Sequence, residues 1–71
     1  MNLVATPSRT YLDQWYLRHS SKPWRVLGTI VRAPALGEFW IDVRGKPRRV
    51  LRTRRLDEAV AVAKEMMQAG I

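Results

Sequence analysis

The sequence predicts a small α+β domain: a helix, a three-stranded antiparallel meander, and a C-terminal helix packed on one face of the sheet. Three observations lead to this prediction. The chain has 71 residues, enough for one small domain with a thin core. Its apolar fraction of 46% is that of a globular protein. Short segments rich in β-branched and aromatic residues lie between two segments whose apolar side chains have helical spacing.

The N-terminal part of the chain is predicted to contain a lead-in and a helix. Residues 1–7 form the short lead-in, and residues 8–71 form the single domain. Ser8 or Thr10 supplies the side chain that caps the helix. The side chains that recur at helical spacing are Leu12, Trp15, Tyr16 and His19. The helix is expected to end before Pro23, because the residue that precedes proline disfavours helical geometry.

Three segments in the middle of the chain are predicted to be strands. They are residues 24–32, 39–44 and 48–53. Pro34 and Gly37 mark the first connection, and Gly45 lies in the second. Because the connections are short, the strands are expected to pair as an antiparallel meander.

The last helix is predicted over residues 56–69. Its apolar stripe consists of Leu56, Ala59, Val60, Ala63, Met66 and Met67. Thr53 is the expected cap, Asp57 and Glu58 suit the positive end of the helix dipole, and Gly70 follows as a stop. The core is expected to join this stripe to six side chains of the sheet: Trp24, Val26, Ile30, Phe39, Ile41 and Val43.

Groups that could carry out catalysis or hold a metal are sparse. The chain has no cysteine and one histidine, His19, which we interpret as a packing residue at a helix end. Its six acids are scattered, and Gly45-Lys46-Pro47 lacks the glycine spacing of a phosphate-binding loop. We therefore expect no enzyme activity, no metal and no cofactor. No apolar run has the length of a membrane span and no signal peptide is recognisable, so we expect a cytoplasmic protein without membrane association.

Positive charge is concentrated in residues 44–55, here called the basic segment. It contains seven Lys or Arg residues and no acid, within a chain of net charge +7. Val50 and Leu51 interrupt the charges, so we expect an ordered edge strand rather than a disordered tail. Two explanations stay open. The charges either bind phosphates or an acidic partner, or they only prevent strand pairing at the sheet edge. An arginine-rich composition bias would also account for part of the excess.

Two further features favour nucleic acid. Arg54 and Arg55 lie where the last helix begins, and the free N–H groups there attract anions. Trp40 lies on the face of its strand opposite Phe39 and Ile41, where it either stacks on a base or is covered by the N-terminal helix. The candidate nucleic-acid-binding residues are Arg44, Lys46, Arg48, Arg49, Arg52, Arg54, Arg55 and Trp40.

Two family resemblances rest on element pattern rather than on a diagnostic motif. The helix–strand–strand–strand–helix order, with the basic cluster that opens "RTRRLDEAVAVAKEMM", resembles the double-stranded-RNA-binding domain, and it implies phosphate binding by that cluster. The segment "GEFWIDVRGKPRRVLRTRRLDEAVAVAKEM" resembles integrase arm-type DNA-binding domains. There a three-stranded sheet enters the major groove and a helix braces it, which implies DNA binding through the sheet.

The function that the sequence favours is a non-catalytic nucleic-acid-binding module, for DNA or RNA, of the kind found as accessory proteins of phages or plasmids. The alternative is a small interaction or inhibitor module that docks its basic edge on an acidic protein. A homodimer is a third hypothesis, because a core of this size is thin.

Overall fold

A computed structural model describes residues 3–68 of the chain. The elements in chain order are β1 (Leu3–Pro7), β2 (Gln14–His19), β3 (Lys22–Ala33), β4 (Glu38–Val43), β5 (Arg49–Leu51) and α1 (Leu56–Gln68). The strands form one antiparallel sheet in the order β1-β2-β3-β4-β5. The protein is thus a small α+β domain, but the predicted three-stranded meander between two helices is wrong.

The predicted N-terminal helix is instead strand β2. Trp15 and Leu17 alternate with Tyr16 and Arg18, and this period of two places Leu17 in the core with no exposed surface. The helical pattern omitted Leu17 and included Leu12, which is 93% exposed. A short segment with aromatic side chains at successive positions gains more from pairing on both sides in a sheet than from an isolated helix.

Strand β1 occupies most of the predicted lead-in. Leu3 and Ala5 pack against the core, and β1 pairs with β2 along its whole length. The Ser8 side chain caps a turn rather than a helix, because its hydroxyl oxygen accepts the backbone N–H groups of Thr10 and Tyr11, each at 3.1 Å. The N-terminal helix that the resemblance to double-stranded-RNA-binding domains requires is therefore absent from residues 3–68.

Strand β3 is longer than predicted and irregular in its first half. Its register against β2 shifts between the partners Gly28 and Val26, which is the signature of a β-bulge. The register shifts again between the partners Val26 and Lys22, so residues 22–26 do not continue the alternation of residues 28–33. Trp24 is consequently 75% exposed and Val26 is also exposed, so their predicted place in the core is wrong.

The rest of the predicted core is confirmed. Ile30, Phe39, Ile41 and Val43 are buried under Ala59 and Ala63 of α1. The helix begins at Leu56, and Thr53 accepts the N–H of Arg55 at 3.1 Å, so Thr53 orders the approach to the helix and does not cap it as predicted.

The helix covers one face of the sheet. The other, here called the open face, is not covered by any element within residues 3–68. None of the helical structure described in residues 3–68 has the length and apolar character needed to cross a membrane.

Candidate nucleic-acid interface

The register of the strands places two aromatic side chains on the open face. Trp40 lies beside Val31 of β3 and Val50 of β5, and Tyr16 lies beside Thr29 on the same face. From the spacing of paired strands, the Cα atoms of Tyr16 and Trp40 are roughly 12 Å apart. Because residues 14–19 form a strand, the predicted covering of Trp40 by an N-terminal helix is wrong. Stacking of Trp40 on a base stays a prediction.

Trp40 is partly covered by Arg48. The guanidinium carbon of Arg48 lies 5.3 Å from the indole centroid, and its Nε donates to Asp42 at 3.0 Å. The indole Nε1 donates to Glu38 at 2.9 Å. On β2, the guanidinium of Arg18 lies 5.7 Å from the ring centroid of Tyr16 in the same way. These cation–π contacts order the arginines above the sheet.

Three further residues of the basic segment follow the sheet edge towards α1. Strand β5 is an edge strand, as predicted, and the register places Arg49 beside Ile41 on the helix side. Arg52 and Arg54 lie in the connection to α1. All three are exposed, and none has a salt bridge to another residue between 3 and 68. Their charge is therefore available to a partner.

Arg55 differs from these three because it is already paired. Its Nη2 lies 2.8 Å from Asp57, and its Nε lies 4.0 Å from Glu58. The hydrogen bond with Arg55 lowers the pKa of Asp57, and the same bond raises the pKa of Arg55. An anion at the start of α1 would have to compete with these two carboxylates, so the predicted phosphate site at Arg55 is partly occupied by the protein itself.

Arg44 and Lys46 lie in the turn between β4 and β5, at the end of the sheet where β3 begins. Gly45 between them has a φ of 80°, which a side chain at this position would disfavour. The β2–β3 turn lies at the same end of the sheet, and Arg25 shares a cleft of about 370 Å³ with Arg44 and Lys46. Lys22 lines the adjoining cleft.

Lys22 and Arg25 are the residues that the sequence analysis missed. The available signal was strand alternation in β2 together with antiparallel order, because every second turn of a meander lies at the same end of the sheet. Since a helix was predicted in place of β2, the β2–β3 turn was not recognised. In contrast, the described residues contain no group of three or more side chains that could hold a metal ion.

Comparisons with protein-family models, with curated proteins and with solved structures give no match for this chain.

Proposed function

We propose that this protein is a non-catalytic nucleic-acid-binding module. The observation that carries the proposal is a set of exposed cations, without salt bridges among residues 3–68, along the sheet edge and its two flanking connections: Arg44, Lys46, Arg49, Arg52 and Arg54. Unpaired cations on ordered backbone suit a phosphate chain, since they lose no internal partner on binding.

The charge balance supports the proposal. Four of the six acids are paired with Arg32, Arg48 or Arg55, so neutralisation is concentrated at those three positions and leaves the charges of the edge cations unneutralised. A need to discourage strand pairing accounts for charges on β5 itself. It does not account for Arg44, Lys46, Arg52 and Arg54, which lie outside the strand.

The sheet braced by a helix on one face also fits what the resemblance to integrase arm-type domains implies. However, five strands span roughly 19 Å, and the major groove of B-DNA is about 12 Å wide. The whole open face cannot enter that groove, so contact with duplex DNA would have to be made by the β5 edge.

Fluorescence anisotropy with labelled DNA and RNA at several salt concentrations tests the proposal. For about three to five phosphate contacts on duplex DNA, the slope of log K against log salt should lie near −3 to −4. The variant Arg49→Gln/Arg52→Gln loses two contacts, so the slope should become less negative by about two. The control Arg9→Gln/Lys64→Gln removes the same charge from the β1–β2 connection and from α1, outside the proposed set of cations, and should leave the slope almost unchanged.

The alternative, an acidic protein partner, predicts a different result. Anisotropy would then stay flat on every nucleic acid at low salt, while the immobilised domain would retain an acidic protein from nuclease-treated lysate. That combination would overturn the proposed function.

A further inference from the structure

Three adjoining clefts lie around the end of the sheet where β2 turns into β3 and β4 into β5, and we describe them together as one groove because they share lining residues. The middle cleft shares Lys46 with one neighbour, and Arg25 and Leu27 with the other. Met66 and Met67, near the C-terminal end of α1, each line one of these clefts. We call it the end groove.

The end groove is strongly basic. Its cations are Lys22, Arg25, Arg44, Lys46, Arg48 and Arg49, and they come from two separate parts of the chain. Among the residues that line these clefts, the acid is Glu65. Of the six cations, Arg48 is the one that forms a salt bridge within residues 3–68. The order of the strands therefore brings Lys22 and Arg25 close to residues 44–49 of the basic segment, although these residues are far apart in the sequence.

The same clefts also have an apolar lining, which consists of Leu27, Val43, Met66 and Met67. We call these four side chains the floor of the end groove, and we call the cations from the two turns its rims. Val43 is buried, and the other three are half-buried, so part of their surface faces the solvent of the groove. Methionine adapts its shape to flat or irregular ligands because its side chain is flexible and polarisable.

A groove that has both apolar and cationic side chains suits single-stranded nucleic acid better than a duplex. A duplex keeps its bases stacked inside and presents a convex phosphate surface, so it could contact the rims but would leave the floor unused. A single strand can turn its bases towards the floor while its phosphates stay on the rims, which is how grooves for single strands combine apolar and charged contacts.

We infer that the end groove binds a single-stranded stretch of nucleic acid, with phosphates held by Lys22, Arg25, Arg44 and Lys46 and bases packed on Leu27 and Met67. This inference rests on the proposed function and names its substrate class. It also assigns a binding role to Lys22 and Arg25, which lie outside the basic segment.

The test compares a labelled single-stranded DNA of mixed sequence with the duplex made from the same strand. Lys22→Gln/Arg25→Gln should weaken single-strand binding roughly tenfold at ~150 mM salt and make its salt slope less negative by about 1.4. Duplex binding should change much less. Met67→Gln should weaken single-strand binding roughly fivefold without changing the slope, since it removes an apolar contact and no charge. The charge-matched control is again Arg9→Gln/Lys64→Gln.

Each outcome has a distinct meaning. If the parent binds nucleic acid but the groove variants bind both forms as well as the parent, or lose both equally, the single-strand assignment is wrong and the proposed function stands. If the parent binds no nucleic acid, the proposed function fails, and the inference fails with it. Binding of a polyglutamate peptide in place of nucleic acid would assign the groove to an acidic protein and overturn both. Lys22→Gln and Arg25→Gln, each made alone, repeat the comparison if the double variant does not fold.

Discussion

The guanidinium of Arg48 lies 5.3 Å from the centroid of the Trp40 indole, and the same side chain donates to Asp42 at 3.0 Å. One arginine thus covers an aromatic ring and neutralises a carboxylate on the open face. An exposed cation–π contact and an exposed ion pair each contribute a fraction of a kcal/mol. We therefore expect Arg48→Gln to lower the free energy of unfolding by about 1 kcal/mol, measured by urea denaturation.

Arg49→Gln is the matched control for this substitution. Arg49 is the neighbouring arginine and has no salt bridge within residues 3–68, so its loss should change stability by less than about 0.5 kcal/mol. Tryptophan fluorescence should respond to Arg48→Gln and not to Arg49→Gln. Equal effects of the two variants would show that the contact between Arg48 and Trp40 contributes nothing.

A second prediction concerns strand β2. Leu17 is completely buried in the core, whereas Leu12 is 93% exposed in the preceding loop. Leu17→Ala should cost about 2–5 kcal/mol, the usual range for a buried leucine, and Leu12→Ala less than about 0.5 kcal/mol. The predicted helix would instead bury Leu12 and expose Leu17. A larger loss of stability for Leu12→Ala than for Leu17→Ala in denaturant unfolding would therefore support that helix and contradict strand β2.

The same two residues show why the sequence predicted one half of the fold and not the other. The stripe of α1 and the alternation of β4 are long or regular enough to have one interpretation, and the structure confirms both. In β2, six residues with Trp15, Tyr16 and Leu17 in succession satisfy a helical and a strand pattern together. The choice between them depends on pairing with β1 and β3, which a local pattern does not contain.

The candidate site was predictable to a similar extent. Charge and composition identified the basic segment and predicted that it contains an edge strand. The pairing of Arg48 with Asp42 depends on cross-strand geometry, and the approach of Arg25 to Arg44 depends on topology. Both require the number and order of strands, so neither could be derived from the basic segment alone.

A third prediction concerns the close approach of β3 and β4 at Gly28. A Cβ atom on Gly28 would overlap the backbone oxygen of Asp42, and a backbone atom cannot rotate away as a side chain could. Gly28→Ala should therefore destabilise the domain by about 1–3 kcal/mol through displacement of β4. Thermal unfolding measures the effect, and an unchanged Tm would contradict this strand arrangement.

A fourth prediction concerns the pH dependence of the pair formed by Arg55 and Asp57. The hydrogen bond from Arg55 lowers the pKa of Asp57 below its ordinary value of 3.8. A carboxyl whose pKa is depressed by folding stabilises the folded state above its unfolded pKa, and this contribution is lost as the pH falls through the folded pKa. NMR titration of the Asp57 carboxyl should show the lowered pKa, and Arg55→Gln should return it towards the ordinary value. A titration that is the same in both proteins would contradict the pairing.

The last prediction compares two adjacent arginines, Arg54 and Arg55, during binding to nucleic acid. Arg54 is exposed and has no salt bridge to residues 3–68, whereas Arg55 contacts Asp57 and Glu58. To bind a phosphate, Arg55 must give up or share these carboxylates, while Arg54 gives up only water. Arg54→Gln should therefore reduce the salt slope on duplex DNA by about 0.9, one full contact, and Arg55→Gln by clearly less. Replacing Asp57 by Asn should increase the contribution of Arg55, because one competing carboxylate is removed. Anisotropy titrations at several salt concentrations measure all three slopes, with circular dichroism to confirm that α1 is intact in each variant. Equal slopes for Arg54→Gln and Arg55→Gln would show that the intramolecular pairs of Arg55 do not compete with phosphate.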